Sequence, residues 1–411
     1  MRLERFASLF IPALAATAML FACGDDPPAT GTSESPDASD IDAHPDAGDI
    51  DAATDDEDAG DAGDGGADAD VVTPPKTCSD EGWCHTPVPV GHVLRDVWSD
   101  GAGSAWAVSD QGAVLRYDGT AWSVVHTRAA TDARLFSVWG SSPTDIWVGA
   151  YGAILHGTGA TPATITWTEL ALDPIAPGAG AVSIYGTSKS DVFAAARTAV
   201  LHLDDDGASW VVAPVTSEIA GTAVAVWGRA GTSDLWLSTM NTATKKSVLF
   251  HRSGGAGSPF SAVPGVSEVP FNVLGRACAT PGEPRRGWML DDRTIWLVGT
   301  RVNFNNTCYY AFRGVEDPDA GAMDAGAFVF SGTVFYDPYV AQNDIWGSSP
   351  NDVWLAGEFG ALNHWDGTRW QLAAISIGTQ PVKKNLTAIH GRGPGDIWVV
   401  GDGIALHKGA P

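Results

Sequence analysis

The sequence predicts an all-β fold, a seven-bladed β-propeller that follows a disordered acidic tether. The first observation behind this prediction is a motif, Val/Ile-Trp-Gly, then a short turn, then Asp-Ile/Val-Trp, that recurs along residues 97–398. The second is that each copy contains four short runs rich in aromatic and β-branched residues, which is typical of strands. The third is the spacing of the copies, about 40 to 47 residues in all but one interval, which is the length of a four-stranded propeller blade.

The repeat motif is best preserved in residues 138–147 and 345–354, where two tryptophans flank a Ser-Ser-Pro turn. The first aromatic position of the successive copies is occupied by Trp98, Trp139, Tyr185, Trp227, Leu274, Trp346 and His390. One four-stranded sheet cannot bury both of its faces alone, so the blades should stack radially into a ring. We expect the repeated aromatics to fill the space between neighbouring blades.

The fifth copy can be aligned with the others in two registers. The first register uses residues 273–275, which are followed by Arg-Ala as in the fourth copy, and it places Cys278 in an enlarged first turn. The second takes Trp288 as the repeat aromatic, because it lies eight residues before Trp296, and it places Cys278 in a blade connection. The similarity to the fourth copy favours the first register.

The turns and the chain ends predict how the ring closes. Asp-Gly pairs such as Asp118-Gly119 supply the positive φ values of tight hairpins, and we expect the repeated turn aspartates to bond their own backbone. The seventh copy ends after three runs, near His407, whereas Trp83 precedes the first copy at the spacing of a fourth-strand aromatic. The N-terminal strand should therefore complete the C-terminal blade.

These units resemble those of Asp-box, or bacterial-neuraminidase-repeat, propellers. Residues 203–210 match the pattern Ser-x-Asp-x-Gly-x-Thr-Trp except at Leu203 and Ser209. The units are most similar to the tandem Trp-Gly-Ser-x-Pro-x-Asp-Val-Trp repeats of uncharacterised bacterial surface lipoproteins. The resemblance covers residues 77–411 and implies the propeller fold, but it implies no single activity because propellers host many.

Residues 1–22 have the features of a lipoprotein signal peptide. Arg2 and Arg5 precede an apolar run, residues 6–21, that is too short to span a membrane readily. Cys23 follows Ala22 directly, and in the signals that this segment resembles such a cysteine is acylated, for example with palmitate, and becomes the mature N-terminus. We expect a chain that is lipid-anchored in the bacterial cell envelope, at the outer membrane on its periplasmic or surface side. The alternative is an uncleaved membrane anchor.

The segment that follows Cys23, up to residue 76, is composed almost entirely of Asp, Ala, Gly, Pro, Thr and Ser. It carries 17 acidic residues and one basic residue, Lys76, so it cannot bury an apolar core and should be a disordered tether. Its aspartates do not fit a calcium-binding loop. The net charge of −25 divides into +1 for the signal, −16 for the tether and −10 for the propeller, and an acidic propeller argues against nucleic acid and anionic membrane surfaces as partners.

The remaining cysteines are even in number, which in an exported protein predicts two disulfides. Cys78 and Cys84 are close enough in sequence to favour pairing with each other, which leaves Cys278 and Cys308. The spacing of the cysteines does not fit a zinc site. The sequence therefore predicts no metal and no cofactor.

The second turn of each repeat is the place where we expect a ligand to bind. Successive turns of an antiparallel blade emerge on alternate faces of the disc, and the first and third turns are nearly alike in every copy. The second turns and the blade connections differ from copy to copy, and binding residues tend to lie on loops held by a rigid scaffold. The alternative is that these turns are only solvated surface. The candidate contacts are Tyr151, Arg197, Phe304, Glu358 and Phe359.

We expect a monomeric, non-enzymatic binding or interaction scaffold for an unknown envelope or extracellular protein or glycan, which meets the membrane only through its lipid anchor. A sialidase-like or other glycan-processing hydrolase is the enzymatic alternative, and it requires an arginine cluster that the sequence does not mark. A structural surface component is the third possibility. The histidines of the third run recur with the repeat, which indicates a structural role and not a catalytic triad.

Overall fold

A computed structural model describes residues 77–409 of the chain, apart from residues 102, 174, 179, 204–206, 208, 216–220, 230, 242–246, 256, 264–271, 274–275, 278–282, 290, 292, 304–305, 318–327, 334–339, 374 and 379. The predictions for the signal peptide, Cys23 and the tether lie outside the described residues, as do those for Cys278 and Phe304. Within the described residues, no helix has the length and apolar character needed to cross a membrane.

The chain forms seven antiparallel four-stranded sheets, which confirms the predicted seven-bladed propeller. We number the blades in chain order and the strands of each blade in sheet order. Blade 1 consists of Leu94–Ser99, Ala105–Ser109, Ala113–Tyr117 and Trp122–Thr127. Blade 2 consists of Leu135–Ser142, Asp145–Ala150, Ala153–Thr158 and Thr166–Ala171. Blade 3 consists of Ser183–Ser188, Asp191–Ala196, Ala199–Leu203 and Trp210–Val212.

The four remaining blades follow the same plan. Blade 4 consists of Thr222–Gly228, Leu235–Met240, Ser247–Arg252 and Ser261–Val263. Blade 5 consists of Glu283–Met289, Thr294–Asn303, Asn306–Glu316 and Phe328–Thr333. Blade 6 consists of Gln342–Ser349, Asp352–Gly357, Leu362–Trp365 and Trp370–Leu372. Blade 7 consists of Leu386–Gly393, Asp396–Gly401, Ile404–Gly409 and Trp83–His85.

A few short elements lie outside the strands of the blades. Two-stranded ladders join Asn272–Val273 to Arg276–Ala277 and Ser376–Ile377 to Gln380–Pro381. Single 3₁₀ turns occur at Pro162–Thr164 and Glu358–Gly360.

The N-terminal strand is the fourth strand of blade 7, as predicted. Trp83 pairs with Lys408 across the two chain ends, and the N–H of Thr86 donates to the carbonyl of Ala405. Cys78 and Cys84 form the expected disulfide next to this strand. The side chain of Cys308 lies outside the described residues, so the second disulfide stays a prediction.

The fifth blade follows the second register, so the preferred first register is wrong. Its first strand is Glu283–Met289, and Trp288 pairs with Trp296 as Trp139 pairs with Trp147 in blade 2. The glycine that normally follows the repeat aromatic here precedes it, as Gly287. The residues directly before and directly after the aromatic lie on the same face of the strand. Gly287 can therefore pack against the preceding blade as the other repeat glycines do.

The repeated Trp-Gly pair is a contact between neighbouring blades. A Cβ atom on Gly186 would lie 2.5 Å from Trp139 of the preceding blade, and on the other repeat glycines, Gly287 included, it would lie 2.3 to 3.0 Å from the preceding aromatic. Blade 1 has Ser99 at this position, and its N–H donates to Nδ1 of His390 in blade 7. At the six other interfaces the aromatic ring covers a backbone site that only glycine leaves open.

The second aromatic of each motif packs against an aromatic that lies in the fourth strand of the next blade or, for Phe260, directly before it. The rings meet edge-on with centroids 5.2 to 6.3 Å apart, a favoured geometry for aromatic pairs. The pairs are Trp106–Trp167, Trp147–Trp210, Phe193–Phe260, Trp236–Phe328, Trp296–Trp370, Trp354–Trp83 and Trp398–Trp122. The expectation that the aromatics fill the space between blades is confirmed at all seven interfaces.

The turn aspartates fall into two groups. Asp118 and Asp366 of the Asp-Gly turns accept backbone N–H groups of their own turns, as predicted. The Asp of the Ser-Ser-Pro-x-Asp turn does not: Asp352 accepts hydrogen bonds from the side chains of His364 (2.7 Å) and Trp354 (2.8 Å). The third-strand histidine also stacks on the second aromatic, so its role in the blade is structural.

Candidate functional site

The central channel of the ring is lined by the first strands of the blades and opens at both faces of the disc. We call the end that lies among the second turns and the blade connections the turn-two mouth. It leads into a cavity of about 720 Å³. The opposite end, among the first and third turns, leads into a larger cavity of about 1160 Å³.

The larger cavity is walled mainly by the repeated Val/Ile-aromatic-Gly segments of the first strands. These residues are already used in blade packing, and two of the arginines at this end have partners: Arg229 pairs with Asp234, and Arg392 lies over Trp98. The smaller cavity is lined by side chains that vary from blade to blade and do not follow the repeat. We therefore take the turn-two mouth as the candidate site although its cavity is smaller.

A β-bulge in the first strand builds the turn-two mouth. In every blade except blade 3, the residue three positions before the repeat aromatic is left unpaired with the second strand. A bulge of this kind re-aims a side chain. The residues at this position, one per blade from blade 1 to blade 7, all line the cavity: Arg95, Phe136, Val182, Val224, Arg285, Asn343 and Thr387.

The next position along the first strand lies between the two cavities, where Asp96 and Asp344 line the larger cavity and Arg286 lines both, and we call these three residues the floor. Asp96 in blade 1 accepts the N–H groups of Val97 and, across the blade boundary, of Val138. Asp344 in blade 6 has the same arrangement with its own and the following blade. Both carboxylates are buried and tie one blade to the next.

Arg286 of blade 5 lies between these two carboxylates. Its Nη2 atom is 3.9 Å from Oδ2 of Asp96, and it lines the cavities on both sides. Burial raises the pKa of Asp344 to about 6, although Arg286 opposes the shift. Burial alone would lower the pKa of Arg286, but Asp96 and Asp344 outweigh it and raise that pKa. The guanidinium therefore stays charged.

The five residues predicted as ligand contacts have different outcomes. Arg197 and Glu358 line the cavity. Tyr151 lies in the second turn of blade 2, where Arg134 stacks over its ring and the side chain is 44% exposed. Phe359 is 69% exposed and does not line the cavity, although its N–H donates to Oδ1 of Asn385, which does. Phe304 lies outside the described residues.

Sequence reasoning missed most of the cavity lining. The bulged residues of the first strands were not predicted as contacts, and neither was the arginine cluster that they help to form. Arginines from blades 1, 3 and 5 meet at the mouth although up to 191 positions separate them in the sequence: Arg95, Arg197, Arg285 and Arg286. The signal that could have found two of them is that Arg95 and Arg285 both lie three residues before the repeat aromatic.

Comparison with solved structures shows similar propellers. The chain is 18% identical to YCF48 bound to D1 peptide, with a TM-score of 0.56 over 82% of this chain and 100% of that chain. It is 15% identical to YCF48 from Cyanidioschyzon merolae, with a TM-score of 0.58 over 80% of this chain and 98% of that one. It is 12% identical to virginiamycin B lyase from Staphylococcus aureus, with a TM-score of 0.57 over 79% and 98% of the two chains.

No model of a known protein family matches the sequence, and no curated protein does. At 12 to 18% identity the likeness to the solved structures shows the fold alone. The resemblance to Asp-box repeats and to surface lipoproteins stays a prediction. The chain is therefore similar in fold to propellers with different roles: one is described with a bound peptide and another as a lyase.

Proposed function

We propose that the protein is a non-enzymatic binding scaffold of the bacterial cell envelope and that its ligand, a protein or a glycan, binds at the turn-two mouth. The observation that supports this best is the contrast between the two ends of the channel. Blade packing uses the repeated residues, whereas side chains that do not follow the repeat converge on one cavity of about 720 Å³. A rigid ring that presents varied side chains around a concave site is a common form of ligand site.

The arginine cluster also gives a reason to test the hydrolase alternative. Glu358 and Asp402 line the same cavity, and a glycoside hydrolase of the usual kind needs two carboxyl groups and, for an acidic sugar, arginines. However, sialidases use a tyrosine nucleophile, and none of the described residues that line the cavity is Tyr. The lining therefore fits binding of an acidic ligand better than it fits a sialidase. Release of 4-methylumbelliferone from sialic acid and hexose conjugates, lost in Glu358→Gln, would favour the hydrolase.

A pull-down with paired variants tests the binding proposal. We expect the full-length protein to retain envelope proteins or arrayed glycans that an Arg197→Ala/Arg285→Ala variant loses. The matched control is Asp118→Lys/Asp366→Lys, which changes charges at the Asp-Gly turns of the opposite face. If the control loses the ligand and the mouth variant keeps it, the site is at the other end of the channel.

The envelope location that we propose depends on lipidation of Cys23. A basic start, a short apolar run and a cysteine after Ala22 support it. A Cys23→Ser variant should lose both metabolic labelling by palmitate and recovery in the membrane fraction. Persistence of membrane recovery without labelling would favour an uncleaved anchor.

A further inference from the structure

The lining of the turn-two mouth has more basic than acidic residues, whereas the whole chain has more acidic than basic residues. The chain has 49 acidic and 24 basic residues, yet the cavity is lined by four arginines and only two acids, Glu358 and Asp402. No lysine is among the described lining residues, so the positive charge is carried only by planar guanidinium groups. Such groups bind carboxylates through two parallel hydrogen bonds, which ammonium groups cannot do.

Two of the four arginines have no acidic partner among the described residues. Arg95 is paired with Asp110, to which its Nε donates at 2.7 Å, and Arg286 is held by the floor carboxylates. Arg197 and Arg285 are exposed, and neither forms an ion pair within the described part of the chain. They come from blades 3 and 5, and therefore flank the first strand of blade 4 on its two sides.

Arg197 is held in place by a strained turn. Its φ of 50° is in the left-handed region, and Arg197 and Phe359 are the two such non-glycine residues in the described part of the chain. The N–H of Thr198 donates to the carbonyl of Ala196 at 2.5 Å, and the carbonyl of Arg197 accepts the N–H of Ala223 in blade 4. A left-handed conformation costs a residue other than glycine about 1–2 kcal/mol. Such strain tends to be retained at ligand sites.

The residues three positions before the repeat aromatic divide the mouth into an apolar and a polar half. The consecutive blades 2, 3 and 4 contribute Phe136, Val182 and Val224, which are only partly buried and line the cavity together with Met240. The other four blades contribute arginine, asparagine or threonine at the same position. A ligand that fits this mouth therefore carries an anionic group next to an apolar one. The end of a peptide chain can have this composition, whereas a uronic acid or sialic acid is polar on all sides.

The floor of the cavity narrows the channel. Arg286 of blade 5 reaches Asp96 of blade 1, a blade that is not its neighbour in the ring, so the side chain crosses the channel between the two cavities. A ligand that enters at the turn-two mouth would meet this guanidinium. The cavity therefore suits the terminus of a chain better than its middle.

We propose that the turn-two mouth binds the C-terminus of a peptide or protein, with the terminal carboxylate between Arg197 and Arg285 and an apolar last side chain against Phe136, Val182 and Val224. This inference rests on the proposed function and adds the class of ligand. Glu358 and Asp402, across the mouth in blades 6 and 7, disfavour a second negative charge at that side.

The test uses the full-length protein and a library of hexapeptides that are immobilised through their N-termini and end in a free carboxylate. We expect enrichment of peptides whose last residue is Leu, Ile, Val or Phe. The best peptide is then compared with its C-terminal amide by fluorescence anisotropy. The amide should bind about tenfold more weakly or worse, because it loses charge-assisted hydrogen bonds to the guanidinium groups.

The variants show whether the two arginines cause the preference for the acid. Arg197→Ala and Arg285→Ala should each reduce the ratio of acid to amide affinity towards one, whereas Arg369→Ala, an exposed arginine beside an Asp-Gly turn, should leave it unchanged. Equal affinities of acid and amide, or no peptide selected at all, would overturn the inference. So would a glucuronic acid oligosaccharide that binds more tightly than every peptide and needs both arginines.

The same data separate this inference from the proposed function. If peptides bind regardless of the Arg197 and Arg285 substitutions but fail with Asp118→Lys/Asp366→Lys, the proposed site itself is wrong. If binding needs the arginines but ignores the terminal carboxylate, the site stands and the inference about the C-terminus falls.

Discussion

Replacing Trp83 by alanine would test how firmly the N-terminal strand closes the ring. Trp83 is fully buried, and its ring meets Trp354 edge-on with centroids 5.2 Å apart. Removing a buried aromatic of this size costs about 3–5 kcal/mol. The entropy of unfolding is about 2.1 cal/mol/K per residue, or about 0.7 kcal/mol/K for a domain of this size. The melting temperature should therefore fall by about 4–7 °C.

The assay is scanning calorimetry supported by denaturant unfolding, with two variants for comparison. Trp122→Ala removes the equivalent side chain of blade 1, which is 5% exposed and meets Trp398 at 5.5 Å, so it should cost the same. Val124→Ala, at a position that is 41% exposed on the same strand, should change stability by less than about 0.5 kcal/mol.

One result would refute the reasoning. If Trp83→Ala costs less than about 1 kcal/mol while Trp122→Ala costs the full amount, the closing strand does not carry the packing that we assign to it. If Trp83→Ala does not fold, Trp83→Phe keeps an aromatic ring at the interface and should have intermediate stability. A Trp83→Phe protein as stable as the wild type would also contradict the importance of the indole contact.

Three further predictions follow from buried contacts. Because burial raises the pKa of Asp344 to about 6, the protonated side chain stabilises the fold fully below about pH 4, and this stabilisation is lost as pH rises through 6. The free energy of unfolding should therefore fall by up to about 3 kcal/mol between pH 4 and 7, as measured by urea unfolding. Asp344→Asn should abolish this fall. Burial opposes ionisation of Asp352, but hydrogen bonds from His364, Ser348 and Trp354 outweigh it and lower its pKa. Asp352→Asn should therefore cost about 1–2 kcal/mol at pH 7, a difference that shrinks as pH falls below 4, and a constant difference would contradict the assignment. Gly186→Ala should lower the free energy of unfolding by about 1–3 kcal/mol in the same assay, because the added Cβ would collide with the ring of Trp139. Gly393→Ala is the control and should leave stability unchanged, because a Cβ atom there meets open space.

The blade plan could be predicted because it depends on short-range patterns. Strand runs, Asp-Gly turns and paired aromatics all lie within one repeat, and the closure follows from the spacing of Trp83 before the first copy. The pairing of Cys78 with Cys84 likewise spans only a short loop. The prediction failed in blade 5, where the repeat glycine, Gly287, lies one residue before the aromatic Trp288 and not one residue after it. Sequence similarity to the fourth copy then favoured the wrong register. Packing requires the glycine on the correct face of the strand, and both positions are on that face.

The candidate site was predicted only at its rim. Arg197 and Glu358 could be found because their turns differ between copies. The bulged positions could not be found in this way, because Arg95, Phe136 and Asn343 have no residue type in common. A bulge depends on how two strands pair and not on the identity of the bulged residue. The convergence of distant arginines required the ring itself.

The contact between the repeat aromatic and the glycine of the next blade bears on how such a ring can be lengthened or recombined. Half of each interface is encoded in one repeat and half in the following repeat, as with Trp139 and Gly186. The spans of most consecutive pairs overlap, because the glycine directly follows the aromatic, as Gly140 follows Trp139. A border placed within most repeats therefore separates at least one pair, and a duplicated or exchanged repeat can pack only where the repeats on both sides supply a matching ring and glycine. Blade 7 depends in the same way on both ends of the chain, because Trp83–His85 is its fourth strand.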